Sequence, residues 1–149
     1  MHSKAELRAV RESLGLTQQR MADLLGVKVL SVKRWELPRY PQQAPDDAWE
    51  LLDDHMRRQD VAVQAALSQM DRIAMNMGGY PDEVALPYWS SAEDYKMHHY
   101  LDDGGAEYWV EVNATNRRIA FALRERDIAV RWVDGSENVV PKPQVNDSL

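Results

Sequence analysis

The chain has 149 residues, 44% of them apolar and 28% charged, with a formal net charge of −6 and no cysteine. Those values fit a soluble globular protein of one compact domain or two small ones, and they exclude a disulfide framework and a thiolate metal site. No apolar run approaches the ~20 residues of a membrane span, and no secretory-type apolar stretch opens the chain, so a cytoplasmic location is expected.

The first helix is predicted from about Lys4 to Leu14. Ser3 and Glu6 fit an S-x-x-E capping box, Leu7, Val10 and Leu14 make the apolar stripe, and Gly15 ends the helix. Thr17 is the expected N-cap of a second helix, Gln18 to Leu25, with Met21, Ala22 and Leu25 on one face. Gly26 supplies the backbone freedom for a sharp exit. A third helix, about Lys28 to Glu36, should bury Val32 and Trp35 and turn out Lys28, Lys33 and Arg34. Two helices crossing at a wide angle need a small residue at closest approach, a permissive residue in the turn and an apolar anchor beyond it. Ala22, Gly26 and Val32 have that spacing, which predicts a helix-turn-helix whose second helix enters the DNA major groove.

Leu37 to Pro45 reads as a proline-stiffened loop. Asp46 or Asp47 should cap the next helix. Apolar residues recur at Trp49, Leu52, Met56, Val63, Ala66, Leu67, Met70, Ile73 and Met77 without a breaker before Gly78-Gly79. The pattern fits one helix of about thirty residues or two joined near Gln59-Asp60. Val84 to Trp89 is a predicted strand, with Pro87 marking a sheet edge. Ser90 or Ser91 caps a helix of about Ala92 to Leu101. Asp102 to Gly105 is a turn, and Ala106 to about Arg126 a helix with Trp109, Val112, Ile119, Ala122 and Leu123 inward. Ile128 to Val133 alternates as a strand, and a polar tail follows.

The expected fold is therefore mainly α with a small α+β C-terminal part. A helix-turn-helix bundle occupies 1–59, a linking helix 60–79, a β-α-α-β dimerisation domain 80–134 and a flexible tail 135–149. Two strands are too few for a self-supporting sheet, so a second copy should complete it. Val84, Leu86, Trp109, Val112, Ile119, Ile128, Val130 and Trp132 are the candidate dimer contacts. A homodimer also suits a palindromic operator in double-stranded DNA.

The pattern LTQ-x-x-MA-x-x-LGV-x-x-x-SV-x-RWE, set in roughly residues 4 to 59, resembles the Cro/CI, or xenobiotic-response-element, type of repressor DNA-binding domain. More loosely, Trp35-Glu36, Pro45-Asp46-Asp47 and the Trp109 to Leu123 helix resemble the phage-encoded anti-CRISPR-associated autoregulators. The resemblance implies a homodimer that represses its own phage or mobile-element operon from an inverted repeat. Gln18 is then expected at a phosphate, and Arg39 and Tyr40 lie where repressors of this type often touch the sugar-phosphate backbone. For Tyr40 a solvated turn is an equal reading.

Charge supports this orientation. Residues 1–40 hold eight Lys/Arg against four acids, or +4; the remainder holds 10 against 20, or −10. One end faces phosphate and the other faces away. The base-reading candidates are Lys28, Val29, Leu30, Lys33 and Arg34, with Val29 and Leu30 meeting thymine methyls. Lys33 is also a phosphate candidate.

Three other readings compete with this one. His98-His99 with Glu93, Asp94, Asp102 and Asp103 suggests a metal, but adjacent helical histidines point about 100° apart and no third ligand has motif spacing. No catalytic residue, metal or cofactor is assigned. An antitoxin-type regulator, whose C-terminal domain binds a partner protein, fits the Met/Trp stripe and the acidic half. RNA binding fits the basic end but lacks an aromatic stacking surface.

Overall fold

A computed structural model describes residues 2–98 and 107–135. The chain is mainly helical, with a small two-stranded sheet towards its C-terminal end. Its elements are α1 (Lys4–Ser13), α2 (Gln18–Leu25), α3 (Val29–Glu36), α4 (Asp46–Met77), β1 (Glu83–Tyr88), α5 (Ala92–His98), α6 (Tyr108–Arg124) and β2 (Ala129–Asp134). No helix among the described residues is long and apolar enough to cross a membrane.

The first core is built by α1, α2, α3 and the start of α4. Ser3 caps α1 by accepting from the Glu6 N–H at 3.0 Å. The Glu6 carboxylate does not close the capping box but meets the His2 ring at 3.1 Å. Thr17 caps α2 through the Arg20 N–H at 2.9 Å, and Gly26 ends it at φ +67°, a left-handed turn that side-chain-bearing residues resist. Leu7, Leu16, Met21, Ala22, Val32 and Leu52 close the core at 1% exposure or less. Trp49 is only half-buried; it packs on the edge of this core and stacks under His2.

The α4 segment is one continuous helix, which at 1.5 Å per residue runs about 48 Å. Pro45 occupies its cap position, so Asp46 and Asp47 are first-turn residues rather than caps. There their charge still complements the free N–H groups. The predicted apolar stripe is covered at Leu52, Val63 and Leu67, but Met77 is 79% exposed and Met56 37%. At the far end of α4, Met75 and Met77 are exposed, with nothing among the described residues covering them.

A second core forms where α4 and α6 meet the sheet, around Val63, Leu67, Leu123 and Ile128. β1 and β2 pair in parallel, with Val84 opposite Val130 and Leu86 opposite Trp132. Val84, Leu86 and Val130 lean on the second core, so the two-stranded sheet is supported by helices of its own chain. Ser91 is the residue that caps α5, accepting from the Asp94 N–H at 3.0 Å. The expected C-terminal turn of α5, the Asp102 to Gly105 turn and most of the tail lie outside the described residues.

The asparagines in the middle of α6 have a defined task. Asn113, 2% exposed, accepts from the Trp89 N–H at 2.8 Å and donates to the Trp89 carbonyl at 2.9 Å. Asn116 donates to the Pro87 carbonyl at 2.9 Å. These amides complete backbone groups at the end of β1 that the second strand does not reach.

The two cores touch. A Cβ on Gly15 would stand 2.4 Å from the Val110 carbonyl oxygen and 2.8 Å from the Ala114 Cβ, so the turn after α1 sits directly on α6. Thr17 bonds Glu107, and Arg20 Nε meets Glu111 at 3.2 Å.

Candidate nucleic-acid interface

The helix α3 is held from beneath by Val32 and Trp35, which are buried. It is held at its end by Glu36. That carboxylate is 2% exposed and is gripped by Arg11, Nε to Oε2 at 2.6 Å and Nη2 to Oε1 at 2.8 Å. Arg11 also donates to the Leu16 carbonyl at 2.8 Å. This two-pronged geometry is what allows two charges to be withdrawn from water. Lys4 ties down the chain after α3, donating to the carbonyls of Arg34 at 2.8 Å and Trp35 at 3.3 Å, and also to Gln42.

Neither role was anticipated from the sequence, where Lys4 and Arg11 count as surface cations. A signal was present for Arg11. It falls four residues after Leu7 and three before Leu14, on the same helical face as the apolar stripe.

The predicted site residues fall into three groups. Lys28, Leu30, Lys33 and Arg39 are exposed on α3 and the adjoining turns. Arg34 is half-buried. Its Nε is enclosed with no hydrogen-bond partner, and its guanidinium lies 5.8 Å from the centre of the Tyr40 ring. Arg39 sits 5.0 Å from the same ring, so Tyr40 carries two cations within cation–π range.

Val29 and Gln18 are placed differently from expectation. Val29 packs against the first core, because it lies three residues before the buried Val32 on the same face of α3. Gln18 donates to Glu36 Oε1 at 3.2 Å, so its amide serves the buried ion pair.

The charge distribution is sharper than the +4 total suggests. Of the eight Lys/Arg in residues 1–40, Arg8 pairs with Glu12, Arg11 with Glu36 and Arg20 with Glu111, while Lys4 is bound to carbonyls. Lys28, Lys33, Arg34 and Arg39 have no acidic partner among the described residues. All four lie on α3 or next to it. Field lines from such a patch are not cancelled locally, so it attracts a polyanion.

The candidate dimer residues are divided by the structure. Ile128 is 1% exposed and belongs to the second core of its own chain, and Val112 lines a cavity between α4 and α6. Ile128 is therefore closed to a partner copy, while Val112 is only half-buried. Val84, Leu86, Ile119 and Val130 are partly covered by the second core. Trp109 and Trp132 remain, brought together with Tyr88 along one open groove. Of the residues considered for a metal, His98 bonds the Asp94 carbonyl of its own helix at 2.9 Å; His99, Asp102 and Asp103 lie outside the described residues.

No family model matches the chain, and no curated protein matches its sequence.

Proposed function

We propose that this chain is a sequence-specific DNA-binding transcriptional regulator, a homodimer that represses its own operon at an inverted repeat. One observation carries the proposal: the four N-terminal cations left without internal partners all gather on and beside α3, while the other four are bound inside the chain. The α2–turn–α3 geometry, with its left-handed Gly26, agrees with a helix-turn-helix in which α3 enters the groove. Arg34 then reaches a base edge, Leu30 a thymine methyl, and Lys33 and Arg39 the phosphates. On the sequence resemblance, the controlled operon is a phage or mobile-element one of the anti-CRISPR-associated kind.

Footprinting on the DNA upstream of the protein's own gene tests this. A protected inverted repeat is expected, its half-sites about one helical turn apart or a multiple of it. Absence of protection at protein concentrations that saturate nonspecific binding would remove the operator and autoregulation together.

The groove between Tyr88, Trp109 and Trp132 also fits an antitoxin-type arrangement, in which a partner protein rather than a second copy covers the aromatics. Size-exclusion mass of the protein alone and with the products of neighbouring genes separates the two.

A further inference from the structure

A cavity of about 230 Å³ opens where α1, α2, α4 and α6 meet. Its charged lining is Arg20 from α2, His55 and Arg58 from α4, and Glu111 from α6; Ala62 of α4 and Thr115 of α6 also line it. Glu111, with its side chain 9% exposed, receives Arg20 Nε at 3.2 Å on one oxygen and faces His55 Nε2 at 3.2 Å with the other. The second ring nitrogen of His55, Nδ1, lies 2.9 Å from the Leu51 carbonyl. Both ring nitrogens thus face acceptors, and only the imidazolium can donate to both.

The lining is therefore cationic. Arg20, Arg58 and a doubly donating His55 stand against Glu111 and, at the rim, Asp54, a formal +1. Arg58 is engaged by Asp54 on the solvent rim at 2.7 Å. Arg20 is the notable member. Its side chain is 19% exposed and only its Nε is hydrogen-bonded, so its two Nη groups, which solvent still reaches, have no protein partner among the described residues. Planar donors on one side of a cavity with net positive charge match a small oxyanion.

We propose that this cavity binds a small anion of the phosphate or carboxylate class, held by the Nη donors of Arg20 with the Thr115 hydroxyl and Arg58 beside it. Its volume admits inorganic phosphate or a short carboxylate. Binding locks α2 onto α4 and α6. If α3 reads DNA, as proposed above, the anion and DNA change each other's affinity by the same factor.

The test needs no DNA, so its failure is separate from failure of the DNA reading. Thermal melts and calorimetric titrations at pH 6.5 compare inorganic phosphate and malonate with chloride at matched ionic strength. A saturable rise in Tm of a few degrees is expected with at least one anion. Ala62→Leu, which adds bulk to the lining from α4 and leaves every charged residue in place, should abolish it. Arg20→Gln, checked for a native circular dichroism spectrum, should abolish it as well and decides the matter if the first variant fails to fold. The proposal is overturned if the wild type shows no saturable response to either anion, or if the response survives either folded variant. Which of the two anions acts tells a phosphate site from a carboxylate site. Repeating the titration with bound DNA then measures the coupling.

Discussion

The Glu36 carboxylate, 2% exposed, is met on both oxygens by Arg11 and on one of them by Gln18. Glu36→Ala leaves that guanidinium buried and uncompensated, which should cost about 3–5 kcal/mol in urea unfolding. Adding Arg11→Met should recover much of the loss; a double variant as unstable as the single would contradict this role. Arg34 is the residue to test for base reading. Arg34→Ala should cost about 1–3 kcal/mol on the cognate site and relax one base position. Equal losses on cognate and random DNA would count against it. At this scale the sequence discloses residue type but not pairing. Trp35-Glu36 stands out in the motif, yet the partner of Glu36 lies 25 residues upstream, and Arg20 and Asn113 likewise find their partners only once distant segments have packed.

The elements themselves were far more legible, because caps and periodicity are short-range. The Thr17 cap, the α2 boundaries and the Gly26 exit agree with expectation residue for residue. The single α4 could not be told from two helices, since an unbroken apolar period is the same in both. The docking of the turn after α1 on α6 was invisible, because nothing local marks Gly15 as a contact with Val110. Gly15→Ala adds a methyl group at φ +72° against that carbonyl. A loss of about 2–4 kcal/mol is expected, with faster hydrogen exchange in α6; a neutral effect would mean that the two cores are independent.

A second element-scale prediction concerns pH. The bond to Glu111 raises the pKa of His55 above its ordinary 6.5, outweighing the effect of burial. A raised folded-state pKa contributes stability that is full below the ordinary value and fades as pH climbs through the folded one. Arg20, Arg58 and Glu111 are the charged groups that face the ring's surroundings from α2, α4 and α6. The Tm gap between wild type and His55→Gln should be widest near pH 6 and close at alkaline pH. A gap independent of pH would show that the ring acts by packing alone.

At the scale of the whole molecule, a net charge of −6 coexists with an uncancelled basic patch on and beside α3. The acidic majority keeps the rest of the surface away from phosphate, which orients any polyanion towards α3. Since nonspecific duplex binding needs no knowledge of the operator, it reaches this claim most directly. Fluorescence anisotropy on a random-sequence duplex, between about 50 and 200 mM salt, should show binding that weakens with a log–log slope of about −0.9 per phosphate neutralised. The paired reversal Lys33→Glu with Arg39→Glu should abolish that binding, while Arg117→Glu with Arg124→Glu on the exposed side of α6 should leave it intact. A wild type that ignores the duplex at the lowest salt, or binding that survives the first reversal and is lost with the second, would contradict the placement of DNA on α3.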